Sequence, residues 1–231
     1  MGLFSATEPD TGHEVDEDDE GGFAARLSMS ALHWMVNLGV DGVGPLHSAH
    51  EIAQSALAEH VDEEAAVTAI VKHHLRLAAG GGFATGVGGL ITMPISLPAN
   101  IVSFYALAAR MIAAVSAVRG YDVTSEATRT AIVLTMLRVD ADDMLRRVGV
   151  LSGGKMASVA LNQVPKAASM VINKGVGFRV ATRLGARAAG RLGRAVPLAG
   201  GVIGAGLDTY LMKRLADDTR EQFPALTETA Y

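Results

Sequence analysis

The chain has 231 residues, with 20 Lys plus Arg against 24 Asp plus Glu, 49 % hydrophobic and 19 % charged residues. This length fits one large domain or two small ones, and the charged fraction falls below the average of about 25 %. Cysteine is absent, which excludes disulfide scaffolds, thiolate metal sites, iron–sulfur clusters and Cys nucleophiles and is compatible with the cytoplasm.

Residues 1–22 carry eight acids and no Lys or Arg. They lack apolar periodicity and predict a disordered acidic tail. They do not read as a secretory signal, which needs a basic start and an apolar run. Gly2 would suit myristoylation, but Ala6 stands where that signal wants Ser or Thr. Without the tail, residues 23–231 hold 20 bases and 16 acids, so this single all-α domain is net basic.

Helical periodicity begins near Phe23 and predicts a first helix ending at Gly39 or Gly42. After Gly44-Pro45, Leu46 to His60 predicts a second helix with Ile52, Ala56 and Leu57 inward. Asp62, Glu63 and Glu64 suit the start of a third, where acids complement the helix dipole. It carries Ala66, Val67, Ile70, Val71 and Leu75.

From Leu77 to Ala109 no residue is charged, six are Gly, and Pro94 and Pro98 lie near the middle. A membrane span needs about 20 apolar residues. The run permits one span, or a hairpin of two short arms meeting at Pro94–Pro98. Each Gly inside a helix costs about 1 kcal/mol relative to Ala. Such a run is best placed where backbones pack closely, as the Gly82/Gly86 small-xxx-small pair suggests. The candidate apolar hairpin residues are Gly82, Gly86, Gly88, Gly89, Leu90, Ile91, Pro94 and Pro98.

Beyond Pro98, Ile101, Phe104, Tyr105, Ala108, Met111, Ile112 and Val115 follow helical spacing until Gly120. Thr124 or Ser125 with Glu126 starts the next helix. Further helices are predicted over 156–171 and 174–194. After Pro197 an apolar Gly-rich run, Leu198 to Leu207, leads into a polar last helix ending near Phe223-Pro224. No segment alternates convincingly with period 2. The fold class is all-α, a compact domain of about seven or eight helices with a central Gly-rich apolar helical hairpin.

Gly80-Gly-Gly-Phe-Ala-Thr-Gly-Val-Gly-Gly-Leu-Ile-Thr-Met-Pro-Ile-Ser-Leu-Pro98 resembles the hallmark segment of the EcsC family of bacterial proteins. Arg110-Met-Ile-Ala-Ala-Val and Arg119-Gly-Tyr-Asp122 look like its continuation. Val196-Pro-Leu-Ala-Gly-Gly-Val-Ile-Gly-Ala-Gly-Leu-Asp208 is similar to the family's C-terminal Gly-rich segment. The resemblance covers roughly residues 30–223. The family is named after a gene beside an ABC-transporter pair, which implies work near a membrane or a membrane protein partner. It implies no catalytic residue.

Other motifs fail on inspection. Gly149-Val-Leu-Ser-Gly-Gly-Lys155 fits part of a phosphate loop, but Met156 replaces the hydroxyl residue and no strand precedes it. An inter-helix turn is the default. His50-Glu51-Ile52-Ala53-Gln54 begins like a zincin helix, with Gln54 in place of the second His. His47, His50, His60, His73 and His74 are concentrated here and read as surface or boundary histidines. The nucleophile-elbow pattern is absent. No metal site and no cofactor are expected.

The basic residues form a pattern of their own. From Met144 to Leu207 there are ten bases and no acid. At about 100° per residue, Arg179, Arg183, Arg187, Arg191 and Arg194 share one arc of about 120°. A solvated face normally mixes charge signs, so an anion-binding face is the sharper reading. Phe178 is the only aromatic between Tyr121 and Tyr210, which disfavours a stacking platform for single-stranded nucleic acid. Anionic membrane lipid accounts for the Arg face and the uncharged hairpin together. The expectation is a non-catalytic cytoplasmic protein bound peripherally to anionic membranes, with two alternatives. These are a lipid- or small-molecule-binding enzyme and a soluble scaffold for protein partners.

Overall fold

A computed structural model describes residues 30, 33–43, 47–87, 89–136, 156–161 and 197–226. Seven helices occur among them: α1 (33–41), α2 (Ala49–Glu59), α3 (Glu63–Val87), α4 (Gly89–Val118), α5 (Glu126–Met136), α6 (Met156–Leu161) and α7 (Pro197–Gln222). The described structure is all-α. The acidic tail, the Arg series and the loop around Lys155 lie outside the described residues.

Local chemistry sets the helix ends. α2 opens on a capping box: Glu51 N–H donates to Ser48 Oγ at 3.2 Å, and Ser48 N–H donates to Glu51 Oε2 at 2.8 Å. These bonds satisfy amide donors that have no intrahelical acceptor. The Asp62 carboxylate does the same for Ala65 N–H at 2.7 Å, before Glu63 and Glu64 in the first turn of α3. Ser125 Oγ accepts Thr128 N–H at 3.2 Å at the start of α5.

α4 ends at Gly120, whose φ is +91°. There Gly120 N–H donates to Ala117 O at 3.1 Å and Tyr121 N–H to Ser116 O at 3.0 Å. This Schellman pattern places a left-handed residue after the last turn, where Gly carries no Cβ penalty. α1 runs through Gly39 and stops before Gly42, whose φ is +71°.

The second half of α4 is the centre of the bundle. Met111, Ile112, Ala113, Ala114, Val115 and Ser116 are consecutive and all fully buried. The spacing of its large side chains predicts one apolar face, yet this segment is enclosed on every side. The reason lies in the intervening residues: Ala109, Ala113, Ala114 and Ser116 are small enough for neighbouring helices to approach. α2, α3, α5 and α7 all pack against α4, and a helix apolar all round belongs in a core.

Two expectations need correction. α3 ends at Val87 and α4 begins at Gly89, so Pro94 and Pro98 lie within α4, while Gly88 lies outside the described residues. The hairpin arms therefore do not meet at the prolines. A Gly-rich stretch is a cheaper place to end one helix and start the next, since each Gly already forfeits about 1 kcal/mol of helix propensity. The C-terminal Gly-rich run is not a separate lead-in either. It is the first half of α7, which starts with Pro197 at a position where a missing N–H costs no hydrogen bond.

At one end the helices are tied by charge. Arg119, at the end of α4, pairs with Glu64 and lies 3.7 Å from Glu63. Arg220 of α7 reaches the same Glu64 at 3.5 Å and donates to Thr68 Oγ1 at 3.0 Å. The chain beyond α7 is held by Tyr121, whose hydroxyl donates to Pro224 O at 2.9 Å and whose ring stands edge-on to Phe223.

Candidate membrane-contacting end

α3 and α7 form an antiparallel pair. Arg220 meets Thr68 and Glu64 at the polar end, and Gly82 meets Gly204 at the other. The crossing is backbone on backbone. A Cβ on Gly82 would lie 2.6 Å from Gly204 O and 2.7 Å from Asp208 Oδ2, and a Cβ on Gly204 would lie 2.6 Å from Gly82 O. Only residues without a side chain permit this approach. The two Gly-rich runs, remote in sequence, thus meet in space. Of the candidate hairpin residues, Gly82 sits in this contact and is buried. Gly86 is in α3, and Gly89, Leu90, Ile91, Pro94 and Pro98 are in α4.

Large apolar side chains flank the crossing and are exposed. Phe83 is 46 % exposed, Val202 67 % and Ile203 45 %, and Leu77, Leu207 and Tyr210 are exposed as well. α7 supplies most of this surface. Its residues lie far from α3 in sequence, and the packing of α7 along α3, with Gly82 against Gly204, brings them to the same end. No helix among the described residues is long and apolar enough to cross a membrane.

The histidines lie elsewhere. His47, Glu51, Ser55, Glu59, His60 and His73 line a groove of about 570 Å³ between α2 and α3. The zincin-like residues have local structural partners: Glu51 closes the capping box, and Gln54 Nε2 donates to His50 Nε2 at 3.0 Å. Hydrogen bonds from Ser48 hold the Glu51 carboxyl below its ordinary range. No group among the described residues is arranged to hold a metal ion.

His74, which the sequence does not distinguish from its neighbours, is buried in the core. Its Nδ1–H donates to Ile70 O at 2.8 Å, and its Nε2 meets no partner among the described residues. Burial pushes its pKa down to about 4, because the charged form cannot be hydrated there. Arg110 donates to His47 O at 2.6 Å, joining α4 to the start of α2. Burial also lowers its pKa.

The family profile of the EcsC protein family matches residues 42–223. No curated protein and no solved structure matches the chain. The matched segment includes the antiparallel pair, its glycine crossing and the central helix α4, and on that evidence the chain belongs to the EcsC family.

Proposed function

We propose that this chain is a non-catalytic protein that attaches peripherally to anionic membranes from the cytoplasmic side. The observation that carries the reading is the uncovered apolar end beside Gly82 and Gly204. Single exposed apolar residues are ordinary. Phe83, Val202 and Ile203 instead cluster where two charge-free runs converge, and a clustered apolar surface marks an interaction site. The acid-free run from Met144 to Leu207, with Arg179, Arg183, Arg187, Arg191 and Arg194, would supply attraction to the same partner. Each base near an anionic leaflet adds about 1 kcal/mol. Surface attachment also accords with the lack of a membrane-crossing helix among the described residues.

Co-sedimentation with vesicles tests the reading. The protein should bind phosphatidylcholine–phosphatidylglycerol vesicles better than phosphatidylcholine alone. Salt at 1 M, where the screening length is about 3 Å, should remove part of the binding and leave an apolar remainder. Changing the five Arg to Gln should abolish only the salt-sensitive part. Indifference to anionic vesicles at low salt would refute the proposal.

A further inference from the structure

We infer that the apolar end enters the membrane end-on, to about the depth of one leaflet's hydrocarbon, and that basic residues on α3 and α7 stop it at anionic headgroups; this rests on the membrane-attachment reading above. The argument comes from the order of charges along the antiparallel pair. Beyond Arg76, α3 carries no charge to its end at Val87. From Pro197 to Leu207, α7 carries none, and Asp208 is buried. Moving away from the apolar end along the described residues of α3 and α7, the first exposed charges are all basic: Arg76 and Lys72 on α3, Lys213 and Arg214 on α7. Acids come only further along, as Asp217 and Asp218 on α7 and Glu63 and Glu64 on α3. Lys213 is paired with Asp217 at 3.0 Å. Arg214 instead donates to the Tyr210 hydroxyl at 3.0 Å, with its guanidinium 5.8 Å from the ring centroid. An exposed Tyr beside an Arg, between apolar and charged zones, is the composition of a membrane–water interface.

Length and direction separate this geometry from a helix lying flat. Leu77 to Val87 and Pro197 to Leu207 each extend about 16 Å at about 1.5 Å per residue. Half of a hydrocarbon core about 30 Å thick is about 15 Å. A flat amphipathic helix divides polar from apolar around its circumference. Here the division runs along the axis. Val202 and Leu207 point about 140° apart, and both are exposed. The same holds for Leu77 and Phe83, about 120° apart and both exposed. A flat pose would hold both members of each pair at the margins of its contact face, about 60–70° from its centre, whereas end-on entry buries both fully.

The absence of Cys makes single labels unambiguous. Phe83→Cys, Val202→Cys, Leu207→Cys and Asp217→Cys, each carrying an environment-sensitive fluorophore, are mixed with phosphatidylcholine–phosphatidylglycerol vesicles containing acyl-chain nitroxide lipid. Co-sedimentation is measured in parallel. The expected result is a several-fold emission rise, measured without nitroxide, and strong nitroxide quenching at 83, 202 and 207, with neither at 217. Bound protein protected at only one of 202 and 207, or at neither, would overturn end-on entry while leaving membrane attachment standing. Failure to sediment would overturn both. The basic rim has its own test: the double variant Arg76→Glu, Arg214→Glu should bind anionic vesicles at least tenfold more weakly, and unchanged affinity would remove its assigned role.

Discussion

Replacing Gly82 by Ala probes the α3–α7 contact with a single methyl group. That Cβ would lie 2.6 Å from Gly204 O and 2.8 Å from Gly204 C, whereas ordinary contact begins at 3.4 Å. Asp208 Oδ2 could turn aside, but the Gly204 atoms are backbone, so a rotamer change cannot relieve the overlap. The helices must separate by about 0.8 Å at the crossing. Overpacking of this kind costs about 1–3 kcal/mol, and the better helix propensity of Ala returns about 1 kcal/mol. The net loss is up to about 2 kcal/mol. In a protein of this size each kcal/mol moves the thermal midpoint by about 2–4 °C, so Tm should fall by up to about 8 °C. Gly80, two residues earlier on the same helix, has nothing within 4 Å of its Cβ position. Gly80→Ala should therefore gain up to about 1 kcal/mol and raise Tm. Gly206→Ala on α7, equally unobstructed, should follow Gly80. Thermal unfolding followed by far-UV circular dichroism reads all three. If Gly82→Ala were as stable as Gly80→Ala, the glycine crossing would be wrong.

His74 makes stability depend on pH. Its folded pKa, about 4, lies below the unfolded value of about 6.5, so the unfolded chain takes up the proton first. Stability from the neutral ring is intact above about pH 6.5 and falls progressively towards pH 4, by on the order of 3 kcal/mol. Urea unfolding across that window should show a shallower decline for His74→Leu, and equal slopes would contradict the assignment. Arg129 donates to both Asp41 carboxylate oxygens and, at 2.7 Å, to Asn37, joining α5 to α1. A double-mutant cycle of Arg129→Ala and Asp41→Ala should give a coupling of about 1 kcal/mol or less, reduced by salt. Phe223 is fully buried against Tyr121. Phe223→Ala should cost about 3–5 kcal/mol by denaturant titration, and a loss below about 1 kcal/mol would mean the C-terminal segment is not part of the core.

The sequence by itself determined the helical class and several of the described helix ends. Ser48 with Glu51, Asp62 with Glu63, Ser125 with Glu126, and Gly120 act within a few residues of themselves, so their effects are legible without knowing the fold. It also displayed two uncharged Gly-rich runs. Tertiary structure alone decided what those runs do. Gly82 and Gly80 are chemically identical and sit on one helix, but only Gly82 meets Gly204 from a distant part of the chain. Pro94 and Pro98 look like breakers but lie within α4. His73 and His74 are adjacent, yet one is exposed and the other buried. A local pattern encodes a helix's face and its ends. Which neighbour covers that face depends on contacts between distant segments, and that choice separates buried glycine contact from uncovered apolar surface.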